Sequence, residues 1–121
     1  MTTVAKLIGE WFWTDRWTGS SAFLLSLEAR GLYREMLTQA WRRGAKLPAD
    51  HPSIKRAVAA TEEEWERAWP YVRTYWRETE DGLLINDTQV AIYTETQERA
   101  AVAHERAVKA ATTRWGRNGR V

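Results

Sequence analysis

The side chains with the clearest chemical potential in this chain are cations gathered towards its C-terminus. Residues 99–121 contain one acidic side chain, Glu105, and six basic ones: Arg99, Arg106, Lys109, Arg114, Arg117 and Arg120. This segment therefore carries a charge of +5, whereas residues 1–98 carry −3 and the whole chain carries +2. Guanidinium and ammonium groups concentrated in this way attract phosphate, so the pattern favours an anionic partner, with nucleic acid the commonest. A solvated helix face is the alternative explanation.

Four further cations are placed where they could add phosphate contacts. They are Lys55 and Arg56 on a short helix, and Arg73 and Arg77 beside a hairpin that would form a wing. Together with the C-terminal cations they make up the predicted DNA-binding residues. About six contacts of this kind would give strongly salt-dependent binding with little sequence information. Cations at residues 42–46 are equally well explained by the dipole of the helix that ends there.

Residues that could perform catalysis or bind a metal are scarce. The chain has no cysteine, and His51 and His104 are too far apart in sequence to show metal-ligand spacing. No glycine-rich phosphate loop, GxSxG or HExxH motif occurs, and no nucleophile stands beside a base. The carboxylates of residues 62–66 are explained by capping and solvation. We therefore predict a protein that is not an enzyme, with no cofactor and no metal.

The composition predicts one domain with a core in the first three quarters of the chain. The chain has 121 residues, of which 44% are apolar, and its aromatic residues end at Tyr93 apart from Trp115. The opening MTTVAKLIGEWFW holds one lysine and no long apolar run. It predicts neither a signal peptide nor a membrane span, so we expect a cytoplasmic protein without a membrane partner.

The elements that would position the cations begin with a helix from about Leu27 to Arg43. Ser26 can cap it and Gly44 is a natural stop. A single apolar stripe recurs at helical spacing along it: Ala29, Leu32, Tyr33, Met36, Leu37, Ala40 and Trp41. A proline-rich connection and a short second helix with Ile54 facing inward then follow.

A third helix opens at TEEEWERAW. Thr61 and Glu64 form a capping box, and an apolar seam follows: Trp65, Ala68, Trp69, Val72 and Trp76. Pro70 predicts a kink, or two short helices that meet at Trp69. If this were the recognition helix of a winged helix, its four carboxylates would approach phosphates. We therefore do not expect it to enter the major groove in the usual way.

The last third of the chain predicts a hairpin followed by a long helix. YWRETEDGLLIN places two β-compatible runs around an Asp-Gly turn, and Asn86 or Asp87 can cap the helix that follows. That helix is Ala-rich, should end near Gly116 and would span on the order of 40 Å, so part of it should project. Its 4,3 spacing from position 90 to 115 also allows a homodimer. The predicted organisation is a mainly α, winged-helix-like domain over residues 1–86 and a helix with a basic tail over 87–121.

The aromatic opening WFWTDRW places Trp11 and Trp13 on one side of a short strand that could pair with the hairpin. We favour a role in the core over stacking on bases, because only Arg16 supplies adjacent positive charge.

The succession of these segments resembles the YdaU-like domain, a phage and prophage domain of unknown function at the N-terminus of replication-initiation-like proteins. The resemblance spans about residues 10–95 and is carried by Leu25 to Leu27, Gly31, Tyr33, Trp41, Leu47, Pro48, Glu63, Glu64, Trp65, Asp81 and Gly82. It implies a helix-rich, winged-helix-like fold and a role near phage DNA replication or its control. The chain departs from the family where Trp13 stands in place of a frequent proline, and where longer members continue past the basic tail.

Two classes of function follow from these observations. The first is a phage-type DNA-binding module linked to replication initiation or its regulation, which binds through its wing and basic tail. The second is an adaptor that binds a replication or host protein, or self-associates through the long helix, without contacting DNA.

Overall fold

The computed structural model describes residues 20–118, with side chains described as far as residue 115. Its helices are α1 (Leu27–Arg42), α2 (His51–Val58), α3 (Glu62–Val72) and α4 (Asp87–Asn118). Three short strands accompany them: β1 (Leu47–Pro48), β2 (Arg77–Glu78) and β3 (Leu83–Ile85). The order α1, β1, α2, α3, β2, turn, β3 is that of a winged helix. The predicted fold class, a winged-helix-like domain followed by a long C-terminal helix, is confirmed.

The three strands form one antiparallel sheet in the order β1, β3, β2. Leu47 lies opposite Leu84, and Arg77 lies opposite Ile85. Gly82, with φ of +75°, makes the predicted Asp-Gly turn between β2 and β3. The hairpin is extended by the segment around Leu47, which the sequence suggested only as a connection. The strand expected from the aromatic opening, with Trp11 and Trp13, lies outside the described residues.

Helix α1 forms as predicted and supplies one wall of the core. The Ser26 hydroxyl accepts a hydrogen bond from the Ala29 N–H at 3.2 Å, and Gly44, at φ of +84°, follows its end. The whole predicted stripe is buried: Ala29, Leu32, Tyr33, Met36, Leu37, Ala40 and Trp41. Ridges of α1 pack mainly against α3 and, to a lesser extent, against α2.

The short α2 and the longer α3 form a helix-turn-helix unit. Asp50 caps α2, and Ala59, in the left-handed region at φ of 54°, ends it. In the capping box of α3 the Thr61 hydroxyl accepts from the Glu64 N–H at 3.2 Å, and the Glu64 carboxylate accepts from the Thr61 N–H at 2.9 Å. The tight turn therefore fixes where α3 begins, which is also where its carboxylates cluster.

Helix α3 runs without a break through Pro70 to Val72 and tightens into a 3₁₀ turn at Arg73–Tyr75. Of the two outcomes expected at Pro70, a kink or two short helices that meet at Trp69, the second is therefore wrong. A proline removes one backbone N–H, which would otherwise bond the carbonyl four residues earlier, on Glu66. Glu66 and Pro70 are both exposed, so water can satisfy that carbonyl and the helix need not end.

Aromatic rings hold the α2 and α3 side of the domain together. Trp65 and Trp69 stack with ring centroids 4.7 Å apart, and the His51 ring meets each of them edge-on at 5.1 and 5.2 Å. Trp65 and Val72 are buried, as the predicted seam required, whereas Trp69 is only half-buried. His51 is thus part of an aromatic cluster and has no second histidine near it in sequence.

Asn86, a buried amide, attaches α4 to the rest of the domain. Its Oδ1 accepts from the Gln89 N–H, and its Nδ2 donates to the Tyr33 hydroxyl and to the Tyr75 carbonyl, each at 3.0 Å. Gln89, also buried, donates from Nε2 to the Leu37 carbonyl on α1 at 2.6 Å. The predicted capping role of Asn86 is confirmed, and the same side chain also joins α4 to α1 and to the 3₁₀ turn.

Beyond its first turns α4 leaves the domain. Ile92 is the last buried residue among those of α4 whose side chains are described, and Tyr93 packs edge-on against Trp41 at 4.8 Å between ring centroids. Every residue from 101 to 115 is exposed. The helix continues two residues past Gly116, to Asn118. A glycine disfavours helix by only about 1 kcal/mol, which does not stop a helix by itself. At 1.5 Å per residue, residues 101–118 project by roughly 27 Å.

Replacing Asn86 with alanine should lower the free energy of unfolding by about 2–4 kcal/mol, because a helix cap is lost and buried partners lose their donor. Asn86→Asp keeps the capping oxygen but removes the Nδ2 donor, so part of the loss should remain. The exposed neighbour Thr88→Ala is the matched control. Urea unfolding followed by circular dichroism measures the change. Equal stability of Asn86→Ala and Thr88→Ala would contradict the role given to Asn86.

Candidate nucleic-acid interface

The largest group of predicted cations begins at Arg99 in α4 and continues along its projecting part. Because an α-helix turns about 100° per residue, their positions fall within an arc of roughly 140°. The members with described side chains, all of them exposed, are Arg99, Arg106, Lys109 and Arg114. The side chain of Arg117, in the last turn, and the whole of Arg120 lie outside the described part. We call Arg99, Arg106, Lys109 and Arg114 the basic stripe.

Most of the basic stripe is available to an external anion. Arg99 pairs with Glu95 one turn earlier, at 2.5 Å between Nη2 and Oε1. Arg106, Lys109 and Arg114 form no ion pair with any residue that the structure describes. Because these three cations are exposed and are not paired with a described carboxylate, a polyanion can bind them without first breaking an ion pair.

Of the four predicted cations on the body, two form ion pairs with described residues and two do not. Lys55 pairs with Glu62 at 2.5 Å across the α2–α3 turn. Arg77 donates from Nε and Nη2 to the two carboxylate oxygens of Asp87, at 3.3 and 2.9 Å. Arg56 and Arg73 are exposed and form no ion pair among the described residues. The structure therefore does not gather the predicted residues into one patch.

The hairpin turn is a poor phosphate site. Arg77 is already paired with Asp87, and three exposed acidic residues lie near it in the hairpin: Glu78, Glu80 and Asp81. A phosphate approaching this wing would meet three carboxylates for one paired guanidinium. The wing thus contributes less to an anion-binding surface than the sequence suggested.

The N-terminal half of α3 is acidic on its exposed surface. Glu62, Glu63, Glu64 and Glu66 are all exposed. Hydrogen bonds from the backbone and side chain of Thr61 lower the pKa of Glu64, which favours its charged form. Like-charge repulsion would oppose insertion of this helix between the phosphates of a major groove.

Besides Lys55–Glu62, two ion pairs of the body were not predicted from the sequence. Glu28 on α1 accepts from Nε and Nη2 of Arg67 on α3, at 2.8–3.1 Å. The sequence predicts Asp87 only as a possible cap, whereas the closed hairpin brings it beside Arg77, ten residues earlier in the chain. The hairpin prediction contained the signal for the second pair, because antiparallel pairing places the start of β2 opposite the end of β3, and Asp87 follows that end by two residues. The first pair depends on how α1 crosses α3.

Other kinds of site are not seen in the described part of the chain. Residues 20–118 contain no group of three or more histidine, aspartate or glutamate side chains arranged to hold a metal ion. None of their helices combines the length and apolar character needed to cross a bilayer. The chain matches no known family model, no curated protein and no solved structure.

The ion pairs give a pH dependence of defined sign. Hydrogen bonds from Arg77, and then its charge, lower the pKa of Asp87, and Arg67 does the same for Glu28. Each pair stabilises the fold fully above the unfolded pKa of about 4, and this contribution is lost as the pH falls through the lower folded value. We expect the melting temperature to fall below about pH 4.

Asp87→Asn should flatten that fall, and Arg77→Gln should return the pKa of Asp87 towards its ordinary value, because each removes one partner of the pair. Thermal melts across pH 2–7 and NMR titration of the carboxyl carbons measure both effects. An Asp87 that titrates at or above about 3.9 in the intact protein would refute the pair.

Proposed function

We propose that the protein is a DNA-binding module of phage type, linked to replication initiation or its regulation, that grips DNA chiefly through the projecting part of α4. The winged-helix-like body serves as the platform that orients this helix. The resemblance of residues 10–95 to the YdaU-like domain supports the link to phage replication. Such a role would be carried out in the cytoplasm, where the DNA is.

The observation that supports the proposal most is the projecting helix with its basic stripe. Arg106, Lys109 and Arg114 are exposed, lie on one side of α4 and have no acidic partner among the described residues. Along the roughly 27 Å of the projecting segment a duplex presents about 16 phosphates, at one charge per 1.7 Å. Binding of this kind depends on phosphates, so it should fall steeply with salt and show little preference for sequence.

The body has a secondary part in this proposal. Arg56 and Arg73 are exposed and could add contacts, whereas Lys55 and Arg77 are held by Glu62 and Asp87. The acidic start of α3 would be turned away from the duplex. This differs from the usual docking of a winged helix, in which the corresponding helix lies in the major groove.

An adaptor function is the alternative, and the acidic surface of α3 favours it. Exposed carboxylates at residues 62–66 suit a basic protein partner better than a polyanion. The two functions separate in one experiment, because only the DNA-binding module has salt-sensitive affinity for nucleic acid.

Neutralising the projecting cations should weaken DNA binding strongly. In the triple variant Arg106→Gln, Lys109→Gln, Arg114→Gln, the slope of log K against log salt should become shallower by about 3, and affinity near 0.1 M salt should fall on the order of 100-fold. The triple variant Arg42→Gln, Arg43→Gln, Lys46→Gln removes the same charge at the end of α1 and is the control. Fluorescence anisotropy with labelled duplex and single-stranded DNA measures both. Equal losses in the two variants would count against the basic stripe.

Removing the tail should separate folding from binding. A chain of residues 1–98 keeps every buried residue of the described core, since Ile92 is the last of them, and it loses the +5 segment. We expect it to unfold cooperatively at nearly the same temperature and to lose most DNA affinity. Unchanged DNA binding by this folded truncation would refute the proposal, and absence of binding by the full chain at low salt would favour the adaptor.

A further inference from the structure

A groove on the body has a shape and charge that the DNA-binding proposal does not use. It lies between α1 and α3, is also lined by residues at the α2–α3 turn, and has a volume of about 260 Å³. Its floor is apolar and mostly small, formed by Gly31, Leu32, Val58, Ala60 and Ala68. Three carboxylates, those of Glu28, Glu35 and Glu64, stand along its rim.

Gly31 is the residue of the groove that packing within one chain does not explain. It lies inside α1, where glycine is less favourable than alanine. A Cβ added there would meet no atom within 4 Å. The position is therefore open, and a surface without a side chain allows another backbone to approach closely. An occupant with small side chains of its own would fit best.

The charge of the rim specifies a cationic occupant. Glu28 is bonded to Arg67, and Glu64 belongs to the capping box of α3. Glu35 forms no hydrogen bond or ion pair that involves the described residues. Glu63 and Glu66 on the adjacent α3 surface are also exposed. A basic helix laid in the groove would be attracted by these carboxylates.

The projecting part of α4 has both required properties. Ala103, Ala107 and Ala110 recur at i, i+4 and i+7, so they share one face of the helix. Arg114, at i+11, continues that face, and Arg106 borders it. The segment cannot reach the groove of its own body, because α4 is one unbroken helix whose residues 101–115 all stand in solvent. Only another molecule can bring such a helix to the groove.

We propose that the projecting part of α4 of one molecule docks in the α1–α3 groove of a second copy of this chain. The alanine face would lie over Gly31, Ala60 and Ala68, with Arg106 and Arg114 near Glu35 and the acidic edge of α3. When two molecules exchange helices reciprocally, each groove holds the helix of the other molecule, and the result is a closed dimer with two-fold symmetry. It differs from a coiled coil of two α4 helices, which would bury Val108 and Trp115, exposed at 51% and 76%. The association needs no DNA.

Sedimentation of the full chain without nucleic acid tests the proposal. The average mass should rise with concentration at about 0.05 M salt, and the association should weaken at least tenfold at about 0.5 M salt, as the screening length shrinks. Glu35→Arg and Gly31→Leu should each weaken it at least tenfold. Glu80→Arg changes the charge equally on the hairpin turn, and we expect it to associate like the wild type. The melting temperature of Gly31→Leu should not fall, because its side chain enters open space.

Mixing two variants distinguishes the groove from a coiled coil. Arg106→Glu, Arg114→Glu has an intact groove and an altered helix, whereas Glu35→Arg has an altered groove and an intact helix. Each alone should stay monomeric, and an equimolar mixture should form heterodimers because one native contact is restored. Wild-type protein that stays monomeric at low salt would overturn the proposal. So would association that Glu35→Arg leaves unchanged, since a coiled coil of α4 would behave in that way.

Discussion

The hydrogen bonds of Asn86 are the contact on which the rest of the arrangement depends. One buried amide caps α4, donates to Tyr33 of α1 and donates to the backbone at Tyr75. A buried amide is costly unless its donors and acceptor are satisfied, so these bonds permit one direction for the helix that begins there. Gln89, one turn later, repeats the attachment through the Leu37 carbonyl. The direction in which the basic helix leaves the body is thereby fixed.

The charges of the molecule are distributed to match this attachment. Three cations of the body form ion pairs with carboxylates of the body: Lys55–Glu62, Arg67–Glu28 and Arg77–Asp87. Exposed pairs of this kind add little stability, yet they remove those cations from competition for an outside anion. The projecting helix has few carboxylates and cannot fold back, so its charge is presented outward. DNA and the acidic groove of a second copy would compete for the same helix face.

The sequence predicted those features that depend on residues within about four positions of one another. Ser26, the Thr61–Glu64 box and the Asp-Gly turn each act through local hydrogen bonds or φ values, and each is present. Features set by tertiary contact escaped it. The two-residue strand at Leu47–Pro48 exists because β3 offers it a partner, and proline is tolerated there at a sheet edge. Pro70 does not break α3, because the carbonyl that loses its hydrogen bond, that of Glu66, can be hydrated by water.

The same distinction between local sequence and tertiary contact separates the predicted features of the site from the unpredicted ones. Charge counting identified the cations of α4, whose exposure follows directly from the length of the helix. It could not separate Arg73 from Arg77, since only the folded hairpin brings Asp87 to Arg77. Asn86 was expected as a cap, but its bonds to Tyr33 and Tyr75 join segments that are 53 and 11 residues away. The groove at Gly31 required the packing of α1 against α3.

The measurement that tests the central claim most directly is an NMR titration of backbone amides with a short duplex at low salt. If α4 is the DNA-binding element, shift changes and line broadening should concentrate on residues 99–118, with residues 62–67 of α3 unaffected. If the perturbed amides were instead those at the start of α3 and along the hairpin, the duplex would be bound as by an ordinary winged helix. That result would contradict the account given for the acidic helix and the projecting one.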